Sequence, residues 1–171
     1  MTATISQASS ADRERLADIF ISHIDNHREY ISHGEVQMGV GCVRTGEDGH
    51  TEVIPAENAR RMWLKYIDSK LSSPDIAVVL KAVEGTEIVG FCVADIEEDG
   101  ADPFGMVCDI IVLDSHRGKG IGSALLAEAL DWLRSKNVNG IYLESGKDNH
   151  KAHEFFRHKG FSKVSEIFKL G

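Results

Sequence analysis

The order of the predicted elements along this chain of 171 residues is β-α-α-β-β-β-α-β-α-β. This order predicts an α/β (α+β) fold with a mixed central β-sheet flanked by helices. Near the middle of the chain, a strand, a glycine-rich loop, a helix and a second strand follow one another, and such a unit requires a parallel crossover. No repeat, low-complexity tract or linker divides the chain, so residues 1–171 are expected to form a single domain.

The first third of the chain contains a strand, a helix and an irregular segment. Residues 2–8 have strand character, and a helix is expected over about 11–33 with Ser9 or Ser10 as its N-cap. Residues 34–54 hold five glycines and show no clear period. They are therefore predicted to form a long loop, and loops of this length inside a compact domain are often functional.

The remaining two thirds alternate strands and helices. Pro55 suits the first turn of a helix over about 56–72. Three strand-like runs follow, 76–84, 87–96 and 106–113, and Gly85 with Thr86 is a short hairpin signal between the first two. The last predicted elements are a helix over about 119–136, a strand over 140–145, a helix capped by Asp148 or Asn149 that ends before Gly160, and a strand beginning at Phe161.

Composition excludes several classes of protein. The formal net charge of −8 disfavours binding to nucleic acid or to an anionic membrane surface, and it suits a cationic, amine-bearing substrate. No apolar run approaches the ~20 residues that span a bilayer, and the N-terminal residues lack signal-peptide character. The three cysteines, Cys42, Cys92 and Cys108, cannot all pair and form no CxxC motif, which favours a reducing, cytoplasmic setting.

The most informative stretch is residues 116–126, His-Arg-Gly-Lys-Gly-Ile-Gly-Ser-Ala-Leu-Leu. Three glycines stand at alternate positions, Gly118, Gly120 and Gly122. They leave backbone N–H groups uncovered where the positive end of the following helix dipole lies, and Arg117 and Lys119 add charge there. The stretch fits neither the Rossmann fingerprint nor the P-loop pattern. It predicts a phosphate or pyrophosphate site, the alternative being a flexible loop that opens a helix.

Two motifs in the right order resemble those of the GNAT N-acetyltransferases. Arg117-x-x-Gly120-x-Gly122 is similar to the acyl-CoA pyrophosphate loop of that family. The spacing of a second family motif is matched by Asn149, Ala152, Phe155, Gly160 and Phe161. The resemblance covers residues 76–168 well and the first 75 residues in element order only.

This resemblance implies an N-acetyltransferase that uses acetyl-CoA as co-substrate and no metal. Because no Cys or Ser is placed as a nucleophile, it implies direct attack by a primary amine in a ternary complex. The residues that the resemblance assigns to acetyl-CoA are Ile110, Ile111, Val112, Arg117, Gly118, Lys119, Gly120, Ile121, Gly122, Ser123, Asn149 and Phe156. For the three strand residues the role would lie in the backbone, since their side chains suit an ordinary core strand.

Two carboxylates are candidates for the catalytic base. Removing the proton of a lysine-like amine at pH 7 costs about 4–5 kcal/mol, so a base would help. Asp109 is the only charged residue in the apolar run 106–113, and such a carboxylate must be paired, protonated or at a cleft. Its position resembles the catalytic carboxylate of some antibiotic-modifying members. Glu144 resembles the base of members that acetylate protein N-termini. Either carboxylate could instead orient the substrate.

Phe156 departs from the family pattern. Many members carry a tyrosine there, whose hydroxyl can protonate the departing CoA thiolate, and phenylalanine cannot donate a proton. Either another group serves, or the thiolate leaves unassisted, which a thiol pKa near 8.5 makes inexpensive. The Phe156 ring is still expected to pack against the CoA arm.

Two further groups of residues have both a functional interpretation and a simpler one, in which their side chains are exposed to solvent. His23 and His27 stand four residues apart on the first predicted helix, a spacing that can chelate a metal, but no third ligand stands at a motif spacing. An acidic cluster before the strand over 106–113 would suit a cationic acceptor or form a solvated hairpin: Asp95, Glu97, Glu98, Asp99 and Asp102.

The acceptor is the least determined part of this interpretation. A small cationic amine or an antibiotic-like molecule is favoured, and residues 11–71 and 97–105 would build its site. The alternatives are a protein or peptide amine, or a non-catalytic acyl-CoA sensor on the same fold, which the absence of the tyrosine favours and the retained carboxylates oppose. A homodimer is compatible with the resemblance.

Overall fold

The structure is a computed structural model that describes residues 2–97 and 102–170. Its strands are β1 (Thr4–Gln7), β2 (Gly41–Thr45), β3 (Thr51–Pro55), β4 (Ala77–Glu84), β5 (Glu87–Glu97), β6 (Phe104–Val112) and β7 (Ile141–Leu143). Its helices are α1 (Arg13–Asn26), α2 (His33–Gln37), α3 (Ala59–Leu71), α4 (Ile121–Ser135) and α5 (His150–His158). Within the described ranges, no helix is long and apolar enough to cross a membrane.

The central sheet has five strands in the order β1-β4-β5-β6-β7. The first four strands are antiparallel to their neighbours, whereas β7 runs parallel to β6. Helix α4 connects β6 to β7, as the crossover of a parallel pair requires. The predicted mixed sheet with flanking helices is therefore confirmed.

The helix expected over 11–33 is too long. Helix α1 ends at Asn26, a 3-10 turn follows at Arg28–Tyr30, and α2 begins at His33. The start of α2 at His33 has a local cause. Ser32 and Glu35 form a capping box, in which the Ser32 N–H donates to Glu35 Oε2 at 2.7 Å.

The long loop expected over 34–54 is also wrong. This segment contains α2 and the antiparallel hairpin of β2 and β3. The hairpin forms a separate two-stranded sheet in which half of the residues are exposed and only Gly41 is buried, so no buried face imposed an alternating pattern on the sequence. Pro55 is the last residue of β3 rather than the first of a helix, and α3 begins at Ala59.

The strand expected from Phe161 is not formed. Residues 161–170 have no regular structure, and Phe161 packs against Phe156 with ring centroids 5.9 Å apart. The strand pattern beyond Phe161 has no sheet to join, and Phe168 is 88% exposed. Of the expected acidic cluster, Asp95 is buried and pairs with Lys70, while Glu98 and Asp99 lie outside the described residues.

The sheet separates two apolar cores. One contains Phe20, Trp63 and Phe91 with the rest of the α1–α3 face. The other lies under α4 and α5 and contains Leu125, Leu133 and Phe156 among others. The helices are therefore held to the sheet from both sides, which leaves the ends of the strands as the place for a site.

A β-bulge in β6 changes the face on which its later residues lie. Val93 pairs with Asp109 and Ala94 with Val107, so Cys108 is an extra residue. Val107 belongs to the core under α4, whereas Cys108 and Ile111 pack in the core under α1 and α3. The bulge thereby turns Asp109 towards α1 and α3.

The segment after β7 is packed against the chain that follows α1, and a glycine permits this approach. A Cβ built on Gly146 would stand 2.3 Å from the carbonyl oxygen of Glu29. Gly146→Ala is therefore expected to lower the free energy of unfolding by about 1–3 kcal/mol, since the backbone must move. Urea denaturation measures this change.

Gly122→Ala is the matched control, because its Cβ would meet atoms no closer than 3.7 Å. It is expected to change the unfolding free energy by less than about 1 kcal/mol. Equal losses in the two variants would show that the contact at Gly146 does not constrain the fold.

Candidate active site

The two parallel strands, β6 and β7, lie at one edge of the sheet and separate partway along β6. Strand β7 pairs with β6 only from Gly105↔Ile141 to Val107↔Leu143, but β6 continues to Val112. The edge of residues 108–112 that faces away from β5 therefore has no strand partner, and a gap opens between it and the chain from Glu144 onwards. Backbone N–H and C=O groups at such an edge are available to a ligand.

Asp109 belongs to this unpaired stretch of β6, and its side chain, on the side of α1 and α3, is 3% exposed. The Tyr30 hydroxyl donates a hydrogen bond to its Oδ1 at 2.9 Å. Burial, reinforced by the negative charge of Glu35, raises the pKa of Asp109 to about 7, although the bond from Tyr30 acts in the opposite direction. The Tyr66 hydroxyl is also buried close to Asp109 but makes no hydrogen bond of ordinary geometry.

Two more carboxylates lie at this end of the site: the charge of Glu35 acts on Asp109, and the charge of Glu144 acts on Glu35. Glu144 follows β7, and its Oε1 accepts a hydrogen bond from the Gly34 N–H at 3.1 Å. Glu35, on α2, accepts bonds from the N–H and hydroxyl of Ser32 at 2.7 and 2.5 Å. Burial and the charge of Glu144 raise the pKa of Glu35, despite the bonds from Ser32. The structure thus brings together the two predicted carboxylates and a third that sequence reasoning missed.

The glycine-rich loop forms the other end of the gap. Gly118 and Gly120 have φ of 76° and 82°, and a Cβ on either would meet no atom within 4 Å. Gly120 is the N-cap of α4 and provides no side-chain cap. The first N–H groups of the helix, those of Ile121, Gly122 and Ser123, consequently have no intrahelical partner and suit an anion.

The two basic side chains of the loop are already engaged. The Arg117 Nε donates to the Val112 carbonyl at 3.1 Å, and its Nη2 lies 2.9 Å from Asp114 Oδ1. Lys119 Nζ lies 3.7 Å from Glu84 Oε2. Arg117 thus ties the loop to the end of β6, and the backbone N–H groups remain the open donors.

His23 and His27 do not form the solvated helix face that was expected. His23 Nδ1 lies 3.2 Å from Arg117 Nη2, and His27 Nε2 lies 2.9 Å from Asp114 Oδ2. Burial and the charge of Arg117 lower the pKa of His23 to about 4. The two histidines join α1 to the glycine-rich loop, and no group of metal-ligating residues is found in the described part of the chain.

The remaining predicted site residues surround the gap. Ile110, Ile111 and Val112 form its unpaired edge, with Val112 Cγ2 3.7 Å from the position of a Cβ on Gly122. Asn149 is the N-cap of α5, its side chain accepting from the Ala152 N–H at 3.4 Å.

The two aromatic rings of α5 have different surroundings. Phe156 is only 8% exposed and packs in the core under α4, so little of its ring is accessible. Phe155 is the residue whose ring approaches Gly122, with Cζ 3.9 Å from the position of a Cβ there.

Sequence reasoning missed Tyr30, Glu35 and Tyr66. The Ser-x-x-Glu spacing of Ser32 and Glu35 is a capping-box signal and could have located α2. No sequence signal connects either tyrosine with Asp109, because they lie on different elements.

Comparison with known proteins gives the family. The Acetyltransferase (GNAT) family profile matches residues 40–161, and the chain belongs to this family. A Bacillus subtilis uncharacterized protein, YxbD, is 37% identical over 79 residues, which are 46% of this chain and 45% of that protein. A ribosomal protein bS18-alanine N-acetyltransferase from Haemophilus influenzae is 31% identical over 85 residues, 50% of this chain and 55% of that enzyme. The chain matches between 26% and 59% of the length of such curated relatives.

Solved structures of similar fold cover nearly the whole chain. An aminoglycoside antibiotic 6'-N-acetyltransferase from Acinetobacter haemolyticus superposes with a TM-score of 0.69 at 16% identity, covering 98% of this chain and 97% of that one. The aminoglycoside acetyltransferase AAC(6')-Iy, in complex with a bisubstrate analogue of CoA, gives 0.68 at 17% identity, with 100% and 98% covered. Identities this low show a shared fold.

The raised pKa of Asp109 predicts how stability depends on pH. Between its ordinary pKa of 3.8 and about 7, the folded protein holds a proton that the unfolded chain releases. The contribution of Asp109 to stability is therefore greatest below pH 4 and is lost as the pH rises to 7, by on the order of 4 kcal/mol.

Urea denaturation of the wild type and of Asp109→Asn at pH 5, 6, 7 and 8 tests this expectation. Asparagine cannot ionise, so the wild type should lose stability relative to the variant as the pH rises. All other titrating groups are common to both proteins. Two parallel curves would contradict a raised pKa at Asp109.

Proposed function

We propose that this protein transfers the acetyl group of acetyl-CoA to a primary amine of a small cationic acceptor, by direct attack in a ternary complex. The observation that carries the proposal is the gap between β6 and β7, with a helix N-terminus that lacks a side-chain cap at one end and the buried carboxylate of Asp109 at the other. The family match and the aminoglycoside acetyltransferases of the same fold support it.

The acyl-CoA end of the site is assigned to backbone groups. The open N–H groups at the start of α4, together with Gly118 and Gly120, would bind the pyrophosphate. The unpaired edge of Ile110–Val112 would hydrogen-bond the pantetheine arm and donate to the acetyl oxygen as charge develops there. Phe155, rather than the buried Phe156, would give the ring contact, since its ring is the one beside Gly122.

The amine end of the site requires a proton acceptor. The acceptor enters as an ammonium ion, loses a proton, and attacks the acetyl carbon; the C–S bond then breaks and CoA leaves as thiolate, which is reprotonated. Asp109, with a pKa raised to about 7, is matched to proton transfer near neutrality. Because Asp109 is almost fully buried, the proton would reach it through the Tyr30 hydroxyl, which donates a hydrogen bond to it.

A protein or peptide amine is the second candidate acceptor. Two relatives support this candidate, because their names describe acetylation of protein amines: the bS18-alanine N-acetyltransferase and N-alpha-acetyltransferase 30 of Schizosaccharomyces pombe. Glu144 is more exposed than Asp109 and could serve a larger acceptor as base. Thiol release from acetyl-CoA, measured with small diamines, aminoglycosides and an alanine-initiated peptide, separates the two candidates.

Acetyl-CoA is expected to stabilise the protein through the glycine-rich loop. At 100 times its Kd it should add about 2.7 kcal/mol to the unfolding free energy, a rise in Tm of roughly 5–10 °C. In Gly120→Ala the new methyl group would lie in the space assigned to the pyrophosphate, so at least a tenfold weaker affinity is expected. Thermal melts with acetyl-CoA, CoA and ATP measure both effects.

Gly49→Ala is the matched control for backbone strain. Gly49 has φ of 78°, and its Cβ would also meet no atom within 4 Å, but it lies in the turn between β2 and β3. Both variants should lose similar intrinsic stability, and only Gly120→Ala should respond less to acetyl-CoA. An unaltered response would remove the loop from the binding site.

Asp109→Asn and Glu144→Gln are expected to differ in kinetics. Loss of the base lowers kcat most strongly below the pKa of the amine, by about 100-fold or more, and high pH partly restores it. Loss of an orienting carboxylate instead raises the KM of the amine. Rate–pH profiles of the two variants distinguish the roles, and wild-type profiles for both would discard both candidates.

A further inference from the structure

We propose that Glu35 is a specificity-determining residue that selects acceptors with a second positive charge, that is, diamines and polyamines over monoamines. This inference rests on the proposed function and deepens it. Glu35 itself would bind the cationic group that is not acetylated.

The position of Glu35 is fixed by local hydrogen bonds. Its Oε2 accepts from both the N–H and the hydroxyl of Ser32, so the carboxylate is held at the start of α2. Gly34, the residue before Glu35, connects α2 to the chain after β7, because its N–H donates to Glu144 Oε1. Helix α2 therefore brings Glu35 to the amine end of the gap with little conformational freedom to lose on binding.

The charges at this end are not balanced by the protein. No ion pair formed by residues 2–97 and 102–170 involves Asp109, Glu35 or Glu144, although eleven other side-chain carboxylates pair with a Lys, Arg or His. The lysine that acts on Asp109 is Lys70, and it is paired with Asp95. A cation from outside the chain would therefore be attracted here.

A monoamine cannot supply that cation throughout the reaction. Its ammonium group loses a proton before attack and becomes a neutral amide after transfer, so its charge is lost. A second ammonium group keeps its charge in the transition state and in the product. The partly buried Glu35 and the neighbouring Glu144 would then remain neutralised at every step.

Unpartnered polar atoms in the same place independently indicate a ligand. The hydroxyl oxygens of Tyr66, which acts on Asp109, and of Ser145, which follows Glu144 in the chain, are buried and make no hydrogen bond of ordinary geometry within the protein. Buried hydroxyls are normally satisfied. An amine with several N–H groups would provide donors for both.

The test compares 1,5-diaminopentane with 1-aminopentane, which share a chain length and differ by one charge. The wild type is expected to prefer the diamine by at least tenfold in kcat/KM. Glu35→Gln keeps an acceptor for the capping box but removes the charge, and it should reduce this preference about tenfold, mainly through the KM of the diamine. Glu154→Gln, an exposed position on α5, should keep the wild-type preference.

Two further measurements distinguish specificity from structure. Ser32→Ala removes the hydroxyl that holds Glu35 but keeps the charge, so it should retain a preference for the diamine. The acid limb of the kcat/KM profile should move to lower pH in Glu35→Gln, because the charge of Glu35 opposes ionisation of Asp109. The other groups around Asp109, namely Tyr30, Tyr66 and Lys70, are unchanged in that variant.

The outcomes are separable. If the wild type acetylates both amines and Glu35→Gln keeps the full preference for the diamine, the inference about Glu35 is overturned while the proposed function stands. Equal losses with both amines and an unmoved acid limb would assign Glu35 a structural role only. If no amine of any class releases thiol, the proposed function fails first.

Discussion

The extra residue in β6 is the constraint on which the arrangement of the site depends. Because Cys108 is inserted opposite β5, Asp109 lies on the face of α1 and α3 instead of under α4 with Val107. There it is almost fully buried, and Tyr30 donates a hydrogen bond to it. A carboxylate forced into this environment keeps its proton up to about neutral pH, and that property makes it suited to exchange a proton with an amine.

The site has a charge gradient along the gap between β6 and β7. At the end formed by α4, unpaired N–H groups favour an anion, and at the other end three carboxylates favour a cation. An acyl-CoA pyrophosphate and an ammonium group would be attracted to opposite ends of one cleft. The reacting atoms would then meet between these ends, at the unpaired edge of β6.

The elements before the central strands have a structural role in this arrangement as well. Helix α1 contacts the glycine-rich loop through His23 and Arg117, and His27, the residue after α1, contacts Asp114 just before the loop. The turn after α1 supplies Tyr30, and α2 supplies Glu35. The N-terminal part therefore contacts the loop and would contribute to the proposed acceptor end, although its sequence matches the family motifs least.

The amino-acid sequence by itself determined the fold class, the central strands, the parallel crossover and the glycine-rich loop. These follow from local signals, namely apolar periods, turn glycines and the spacing of Arg117, Gly120 and Gly122. Sequence also singled out Asp109, because a charge in an apolar strand is anomalous. Only the tertiary structure decided that Tyr30, Glu35 and Tyr66 surround this residue, that Phe156 is a core residue, and that Arg117 is held by α1. Such contacts join elements far apart in the chain, and no local period or spacing encodes them.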